Sequence, residues 1–451
     1  VYFNRPFNLY MDVGYLPGLA HLLAHSFTLL ELALYGLATA ALIAGVLWAL
    51  QRALRTVHGA FQSAAARHGF LALTAALFLM VSSFRLGAWP EPLGPPAVSM
   101  APRVAAETAF ILNIREIRQR GLSAVQMAEA RIPDYAAPLA KLGGRNVYLF
   151  LIESYGETLL GNPEHRQQFA PTLARFKTDL ERGGYDVYSR FMRSPTFGGA
   201  SWLAFGTLES GVWLPNQLRY GYLVASRVPP LARYFEQAGY RTVSVMPGTT
   251  MPWPEGRYFA YQKEYHARDL DYRGPAFGFA PMPDQFVLDR IRRTEILPAK
   301  EPLFIRYVLV STHAPFHRQP RFLTDWEQIG DGRVYHRMEP IAFPNNWPDL
   351  TEAFGAYLTA IDYELTVLGD YLTRFDHGEA LIVVLGDHQP NAHITGPQAP
   401  SLVPVHVISR NPEHLAPFQE MGFTPGVEPL PTPPFAGMDT FLPDFLAAMS
   451  R

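Results

Sequence analysis

The sequence predicts an α/β fold: a doubly wound, mostly parallel sheet with helices on both faces, preceded by N-terminal transmembrane helices. Three observations point to it. Two short apolar runs, Asn146-Val-Tyr-Leu-Phe-Leu-Ile-Glu153 and Ala380-Leu-Ile-Val-Val-Leu-Gly-Asp387-His388, are unbroken until they close on polar groups. Such runs read as strands buried on both faces. Strand-like and helix-like segments alternate from about Gly144 onward, as in a parallel sheet crossed by helices. Finally, the first 88 residues hold two apolar stretches without a polar face, which a bilayer explains better than a half-exposed helix.

In chain order, Phe27–Leu50 is apolar or small apart from Glu31 and two threonines, long enough for a hydrocarbon core that needs about 20 residues. Gly69–Phe84 is a second uncharged run, which Arg85 extends by snorkelling. The expected spans are therefore about 27–50 and 69–86; two buried core helices are the other reading. The link Gln51–His68 carries Arg52, Arg55 and Arg67 and no acid. Short basic loops stay cytoplasmic, so both flanks face outward. The chain opens on Val1 rather than Met, so it reads as a fragment with earlier spans before residue 1. A signal peptide is not expected, because the apolar run is long and internal. Trp89–Pro102, rich in Pro and Gly, reads as an exit linker. Ala105–Glu129 has helical spacing with mixed charge, suited to the bilayer surface or to packing on the soluble part.

Beyond it, strands are expected at Val147–Ile152, Asp186–Phe191, Thr242–Met246, Leu303–Ser311, Leu381–Leu385 and Val403–Ile408. Helices are expected at Ala170–Arg182, Pro230–Ala238, Asp284–Thr294, Leu350–Arg374 and Met438–Met449. Pro281–Pro283 and Pro425–Pro434 read as surface loops. The expected division is 1–88 transmembrane region, 89–143 linker and juxtamembrane helix, and 144–451 extracytoplasmic α/β domain.

Ligands of open α/β sheets gather at the carboxyl ends of the strands. Glu153 and the pair Asp387-His388 both stand there, where a charge is costly unless paired or coordinated. Each also has an ordinary reading as a cap or ion pair. A third element, Ser194-Pro-Thr-Phe-Gly-Gly-Ala-Ser201, leads into an apolar helical pattern, Trp202–Leu208. Ser201 then lies at a helix N-terminus, where N–H groups and the macrodipole favour an anion; a plain N-cap is the bland alternative. Coordination to a metal at Glu153, Asp387 and His388 would make that hydroxyl a nucleophile. Ser311-Thr-His313-Ala-Pro-Phe-His317 offers two imidazoles past another strand, able to hold a phosphate or protonate a leaving alkoxide. In Met251-Pro-Trp253-Pro-Glu-Gly-Arg257, the guanidinium suits phosphate binding and Trp253 could wall a head-group pocket; a surface loop is the alternative. A donor set of oxygen and nitrogen without sulfur fits Mn²⁺, Zn²⁺ or Mg²⁺.

Composition narrows the function. The 451 residues carry a net charge of −2 with no basic block, so nucleic acid is not an expected partner. The absence of cysteine excludes disulfides, thiolate metal sites and a cysteine nucleophile.

At these residues the chain resembles the alkaline phosphatase/sulfatase superfamily over roughly Gly144–Ser450. It is most similar to the membrane-anchored branch of lipoteichoic acid synthase, phosphoglycerol transferases and phosphoethanolamine transferases. The motifs are Glu153-Ser-Tyr-Gly, Gly-Gly-Ala-Ser201-Trp, Thr-His313-Ala-Pro-Phe and Gly-Asp387-His388. The resemblance implies that Glu153, Ser201, Asp387 and His388 ligate one divalent metal, Mn²⁺ or Zn²⁺, that Ser201 is the covalent nucleophile, and that His313 lies in the substrate pocket. That nucleophile is usually Thr in these transferases. Trp253 and Arg257 match the head-group segment with spacing about one residue off; His317 and His393, also taken as substrate-binding candidates, have no firm counterpart. The lack of cysteine leans towards phosphoglycerol-type transfer, because phosphoethanolamine transferases typically carry disulfides. Ser201-Trp-Leu-Ala-Phe is not the Cys/Ser-x-Pro-x-Arg setting of a sulfatase, which argues against sulfate-ester hydrolysis.

The expectation is a transferase of the bacterial inner membrane, multi-pass, with an extracytoplasmic domain. It would move a phosphoglycerol-type or phosphoethanolamine head group from a phospholipid donor to a glycan or lipid acceptor through a phospho-Ser intermediate. A metal-dependent phosphodiesterase or phosphatase using water is the alternative; a non-catalytic membrane-anchored binding or sensing protein is the second.

Overall fold

A computed structural model describes residues 8–12, 29–60, 63–85, 101–131, 137–343, 350–396 and 398–450. The described residues divide into two compact units, one up to Arg115 and one from Glu116 onward.

The smaller unit is helical. Leu29–Ala60 and Ala64–Arg85 are its long helices, followed by Ala101–Leu112. Among the described residues one helix, Leu30–Gly59, is long and apolar enough to cross a membrane, and none of its apolar window is buried in protein. The basic stretch Gln51–His68, expected as a loop, is mostly helical: Arg52 and Arg55 continue the first long helix and Arg67 belongs to the second. No proline interrupts the stretch, and Ala, Leu, Arg and Gln all favour helix. Phe27 and Thr28, and the expected exit linker as far as residue 100, lie outside the described residues.

The larger unit is built on an eight-stranded sheet of order β10-β2-β9-β8-β1-β5-β3-β4. Its strands are β1 (Val147–Ile152), β2 (Asp186–Arg193), β3 (Arg241–Met246), β4 (Lys263–His266), β5 (Leu303–Leu309), β8 (Leu381–Gly386), β9 (Leu402–Ser409) and β10 (Thr424–Pro425). The short strands β6 (Arg318–Gln319) and β7 (Ile341–Ala342) pair separately. β4, β3, β5, β1 and β8 run parallel; β9 returns antiparallel to β8 and β2 antiparallel to β9. β9 is as apolar as its neighbours, so its direction is set by the connection. The link from β8 holds only the short helix Ala392–Thr395, too little for the crossover helix that usually joins parallel strands.

Both faces of the sheet are covered. Tyr148, Phe150 and Ile152 of β1 pack with the helices Pro163–Arg182, Asp284–Ile291 and Leu350–Arg374. Val147, Leu149 and Leu151 pack with Ser201–Ser210, Leu231–Gln237 and Phe441–Met449. Each such side chain removed from water contributes roughly 1.5–3 kcal/mol, so six in one strand can offset the few kcal/mol that a buried charge at its end costs. The helix Pro163–Arg182 starts earlier than expected because Asn162 caps it, accepting from the backbone N–H of Glu164 and His165, with Pro163 at its first turn. Helix Ile114–Glu129 packs on this unit through Val125, and Gly121 lies against Tyr222.

Register delivers the site. Ile152 is level with Leu309 of β5 and with Gly386 of β8. The next residues on β1 and β8, Glu153 and Asp387, therefore leave the sheet side by side.

Candidate metal centre

Glu153, Asp387 and His388 are all buried and place one ligand atom each within 4.8 Å of one another, the one such cluster of three or more among the described residues. Backbone contacts hold the two strand ends together. The Asp387 N–H donates to the Ile152 carbonyl at 3.2 Å, and Asp387 Oδ1 accepts from the N–H groups of Ser154 (2.8 Å) and His388 (2.7 Å). A Cβ on Gly386 would stand 1.8 Å from the Tyr155 carbonyl oxygen, so only glycine lets the two backbones approach this closely.

His388 is oriented by its own backbone. Nδ1 lies 2.7 Å from the Gln389 carbonyl; a carbonyl only accepts, so Nδ1 carries the hydrogen. Nε2 faces Glu153 Oε1 at 3.2 Å and Asp387 Oδ2 at 3.5 Å. Metal-binding imidazoles are commonly fixed in this way, through the nitrogen that does not ligate.

Ser201 opens the helix Ser201–Ser210. The turn before it runs through the left-handed region at Gly198, Gly199 and Ala200, with φ of 66°, 147° and 63°. The glycines adopt this at little cost, whereas Ala200 pays for it in strain. The turn brings Ser201 Oγ to 2.9 Å from Glu153 Oε2, to which it donates, and to 3.2 Å from His388 Nε2.

The electrostatics are those of surplus negative charge. Burial pushes the Asp387 carboxyl up, and the Glu153 charge beside it adds to this, bringing it to about 7. Burial works against charge on His388, but Asp387 and Glu153 overcome it and raise the imidazole to about 9. Burial would also raise Glu153; His388 and His313 outweigh it and hold Glu153 well below the usual carboxylate range. Asp387 Oδ2 is buried with no hydrogen-bond partner. An orphan carboxylate oxygen among a second carboxylate, an imidazole and a hydroxyl is a fitting donor set for a divalent cation, of a kind suited to Mn²⁺, Zn²⁺ or Mg²⁺.

The other expected site residues are less tightly gathered. His313 is half-buried; its Nδ1 lies 2.5 Å from the Ala314 carbonyl and its ring stacks on Phe279 at 3.6 Å. Nε2 is thus its available nitrogen, near enough to Glu153 to lower that carboxyl. Trp253 packs on Phe259 and faces the guanidinium of Arg306 at 6.0 Å. Arg257 is exposed on the short helix Gly256–Phe259. His317 lies beside Gly278 with Nδ1 unpartnered, and burial lowers its basicity. His393 stands on the helix Ala392–Thr395, its N–H donating to Asn391 Oδ1. Sequence reasoning passed over Arg306 and Glu209, a fully buried ion pair behind Ser201. The available signal was a charged residue inside the apolar run Leu303–Leu309, which must find a counter-charge.

Residues 208–413 match the family model described as Sulfatase. That segment contains Asp387, His388 and His313; Glu153 and Ser201 precede it. No curated protein sequence matches the chain significantly. Among solved structures, the chain is similar to the lipoteichoic acid synthase LtaP from Listeria monocytogenes (16% identity, covering 58% of this chain and 65% of that one, TM-score 0.41). It is also similar to the phosphoglycerol transferase GacH from Streptococcus pyogenes (12%, 75% and 92%, 0.43). A third is the soluble domain of lipooligosaccharide phosphoethanolamine transferase A from Neisseria meningitidis (12%, 71% and 90%, 0.44). The chain spans just under two thirds of the length of the Listeria structure. Over residues 208–413, then, the chain is similar to the Sulfatase family.

Proposed function

We propose that the chain is a membrane-anchored, divalent-metal-dependent transferase. It moves a phosphoglycerol-type head group, or phosphoethanolamine, from a phospholipid to an extracytoplasmic glycan or lipid acceptor through a phospho-Ser201 intermediate. One observation carries this reading: a hydroxyl at a helix N-terminus, 2.9 Å from a buried carboxylate and 3.2 Å from a buried imidazole, beside a carboxylate oxygen without a partner.

Glu153, Ser201, Asp387 and His388 would hold the ion, Mn²⁺ or Zn²⁺ with Mg²⁺ as a third choice. When bound, it supplies positive charge that favours the alkoxide form of a hydroxyl and draws charge from phosphoryl oxygens. The residues of the chain do the rest. Ser201 Oγ bonds to phosphorus while the bond from phosphorus to the lipid alcohol breaks, and the N–H groups of the helix behind Ser201 favour the anionic group arriving there. His313 Nε2 protonates the departing alcohol, diacylglycerol or a similar lipid, and later takes the proton of the acceptor hydroxyl. Trp253 walls the head-group pocket, and Arg257, His317 and His393 are assigned to its phosphate and polar groups. The apolar helix Leu30–Gly59 supports anchoring; the proposed setting is a bacterial inner membrane crossed more than once, with the catalytic domain outside. The absence of cysteine favours phosphoglycerol over phosphoethanolamine.

Mass spectrometry after incubation with phosphatidylglycerol or phosphatidylethanolamine tests the proposal. An adduct on Ser201 with the mass of the phosphorylated head group is expected, and a labelled residue elsewhere would overturn it. Release of a soluble phosphorylated head group, unchanged by added glycan, would instead mark a phosphodiesterase.

A further inference from the structure

We infer that Arg306 and Glu209 are positioning residues: their buried ion pair sets the axial position of the helix that carries Ser201. The inference deepens the proposed function and rests on its reading of Ser201 as the nucleophile.

Arg306 interrupts the apolar run of β5, and both it and Glu209 are fully buried. Arg306 Nη1 donates to Glu209 Oε1 at 2.5 Å. Nη2 donates to Ser244 Oγ at 2.6 Å and contacts Met246 Sδ at 3.1 Å, both on β3. Glu209 Oε2 accepts from the Tyr261 hydroxyl at 2.8 Å. The guanidinium lies 4.7 Å from the Tyr261 ring centroid and 5.2 Å from that of Phe259.

Stability alone does not explain this pair. Well-packed apolar side chains in place of a buried ion pair are often neutral or stabilising, and registry is the best-attested use of such pairs. This helix has particular need of registry. Every residue from Leu203 to Ser210 is buried, and apolar contact is non-directional, so packing by itself allows the helix to slide along the sheet. The pair and Ser201 pin its two ends. Glu209 meets Arg306 of β5, and Ser201 meets Glu153 just past β1, the neighbour of β5. Arg306 is level with Leu149, so the strand advances four residues from there to Glu153, about 13 Å. The helix spans eight residues from Glu209 back to Ser201, about 12 Å. The two lengths agree, so a helix held at Glu209 presents Ser201 at the height of Glu153.

The test uses the full chain in detergent with Mn²⁺ and a soluble chromogenic phosphodiester, comparing wild type with Arg306→Lys and the double variant Arg306→Met/Glu209→Leu. The double variant should fold with a Tm at or above wild type. Its kcat should fall about 100-fold, the scale of an ångström-sized misplacement, with KM within about twofold. Arg306→Lys keeps the charge but loses the fork and should recover part of the rate. A crystal structure of the double variant should show Ser201 Oγ out of hydrogen-bond reach of Glu153. A stable double variant with wild-type kcat, or with Ser201 Oγ still 2.9 Å from Glu153 Oε2, overturns the inference. If wild type turns nothing over, the nucleophile reading fails, while the Ser201–Glu153 distance in the variant still decides positioning. If the double variant does not fold, the same distance in Glu209→Gln decides it.

Discussion

Two of the places where the larger unit buries charge resolve it differently. At Arg306 and Glu209 the positive and negative groups cancel, and Ser244 and Tyr261 occupy further donors and acceptors. At Glu153 and Asp387 two carboxylates face one imidazole, and Asp387 Oδ2 is left without a partner. Both clusters are deeply buried, so solvent relieves neither. The first is balanced in charge, with Arg306 Nε alone of its guanidinium nitrogens left without a partner; the second is short of positive charge. In the absence of a metal, His388 supplies part of that charge by holding its proton up to about 9.

The strongest way to break this comparison is to remove the proposed nucleophile from the unbalanced cluster. Ser201→Ala should retain the fold and lose roughly 10³-fold or more in turnover, whereas Ser201→Thr, which keeps a hydroxyl, should retain a measurable part; steady-state kinetics checks both. Next is unbalancing the neutral cluster. Arg306→Met leaves Glu209 buried and unpaired, and urea unfolding should show a loss of about 3–5 kcal/mol. Metal should then act on one cluster only. Mn²⁺ or Zn²⁺ at a hundred times its Kd should stabilise the protein by about 2.7 kcal/mol, an effect that Asp387→Asn abolishes, read from Tm with and without chelator.

A smaller effect concerns pH. Burial lowers His406 from 6.5 to about 3, while its ring nitrogens lie 3.1 Å from the Tyr155 hydroxyl and 2.7 Å from Ser189 Oγ. The unfolded chain takes up this proton first as pH falls, so the contribution is complete above 6.5 and is lost towards 3. His406→Gln should therefore flatten the acid limb of a stability–pH curve between those values. The least effect is expected from the exposed pair Arg145–Glu379, 2.8 Å apart; Glu379→Gln should leave the urea midpoint unchanged by the same unfolding assay.

Much of this was legible in the sequence, and the physics explains where it was not. β1 and β8 were readable because nothing polar interrupts them, and their ends pointed to Glu153 and Asp387. The apolar pattern Trp202–Leu208 foretold the helix that Ser201 opens. β9 was recognised as a strand, but its antiparallel direction depends on a connection whose structure no residue pattern announces. β4 was missed because Lys263–His266 is half-buried and mixed in charge, without the alternation that marks a strand. The Arg306–Glu209 pair joins positions 97 apart, so its partner could not be named even where Arg306 looked out of place.

The missing side chain at Gly386 has a consequence for ion size. With the Tyr155 carbonyl oxygen 1.8 Å from the place a Cβ would take, the two strand ends meet backbone to backbone, and any side chain there would force them apart. Calcium prefers six to eight oxygens at about 2.3–2.6 Å in a pliable shell, whereas zinc accepts four donors at about 2 Å. A side chain at position 386 would push Asp387 and His388 away from Glu153, and the longer bonds of calcium would suit such a widened cage better than the short bonds of zinc.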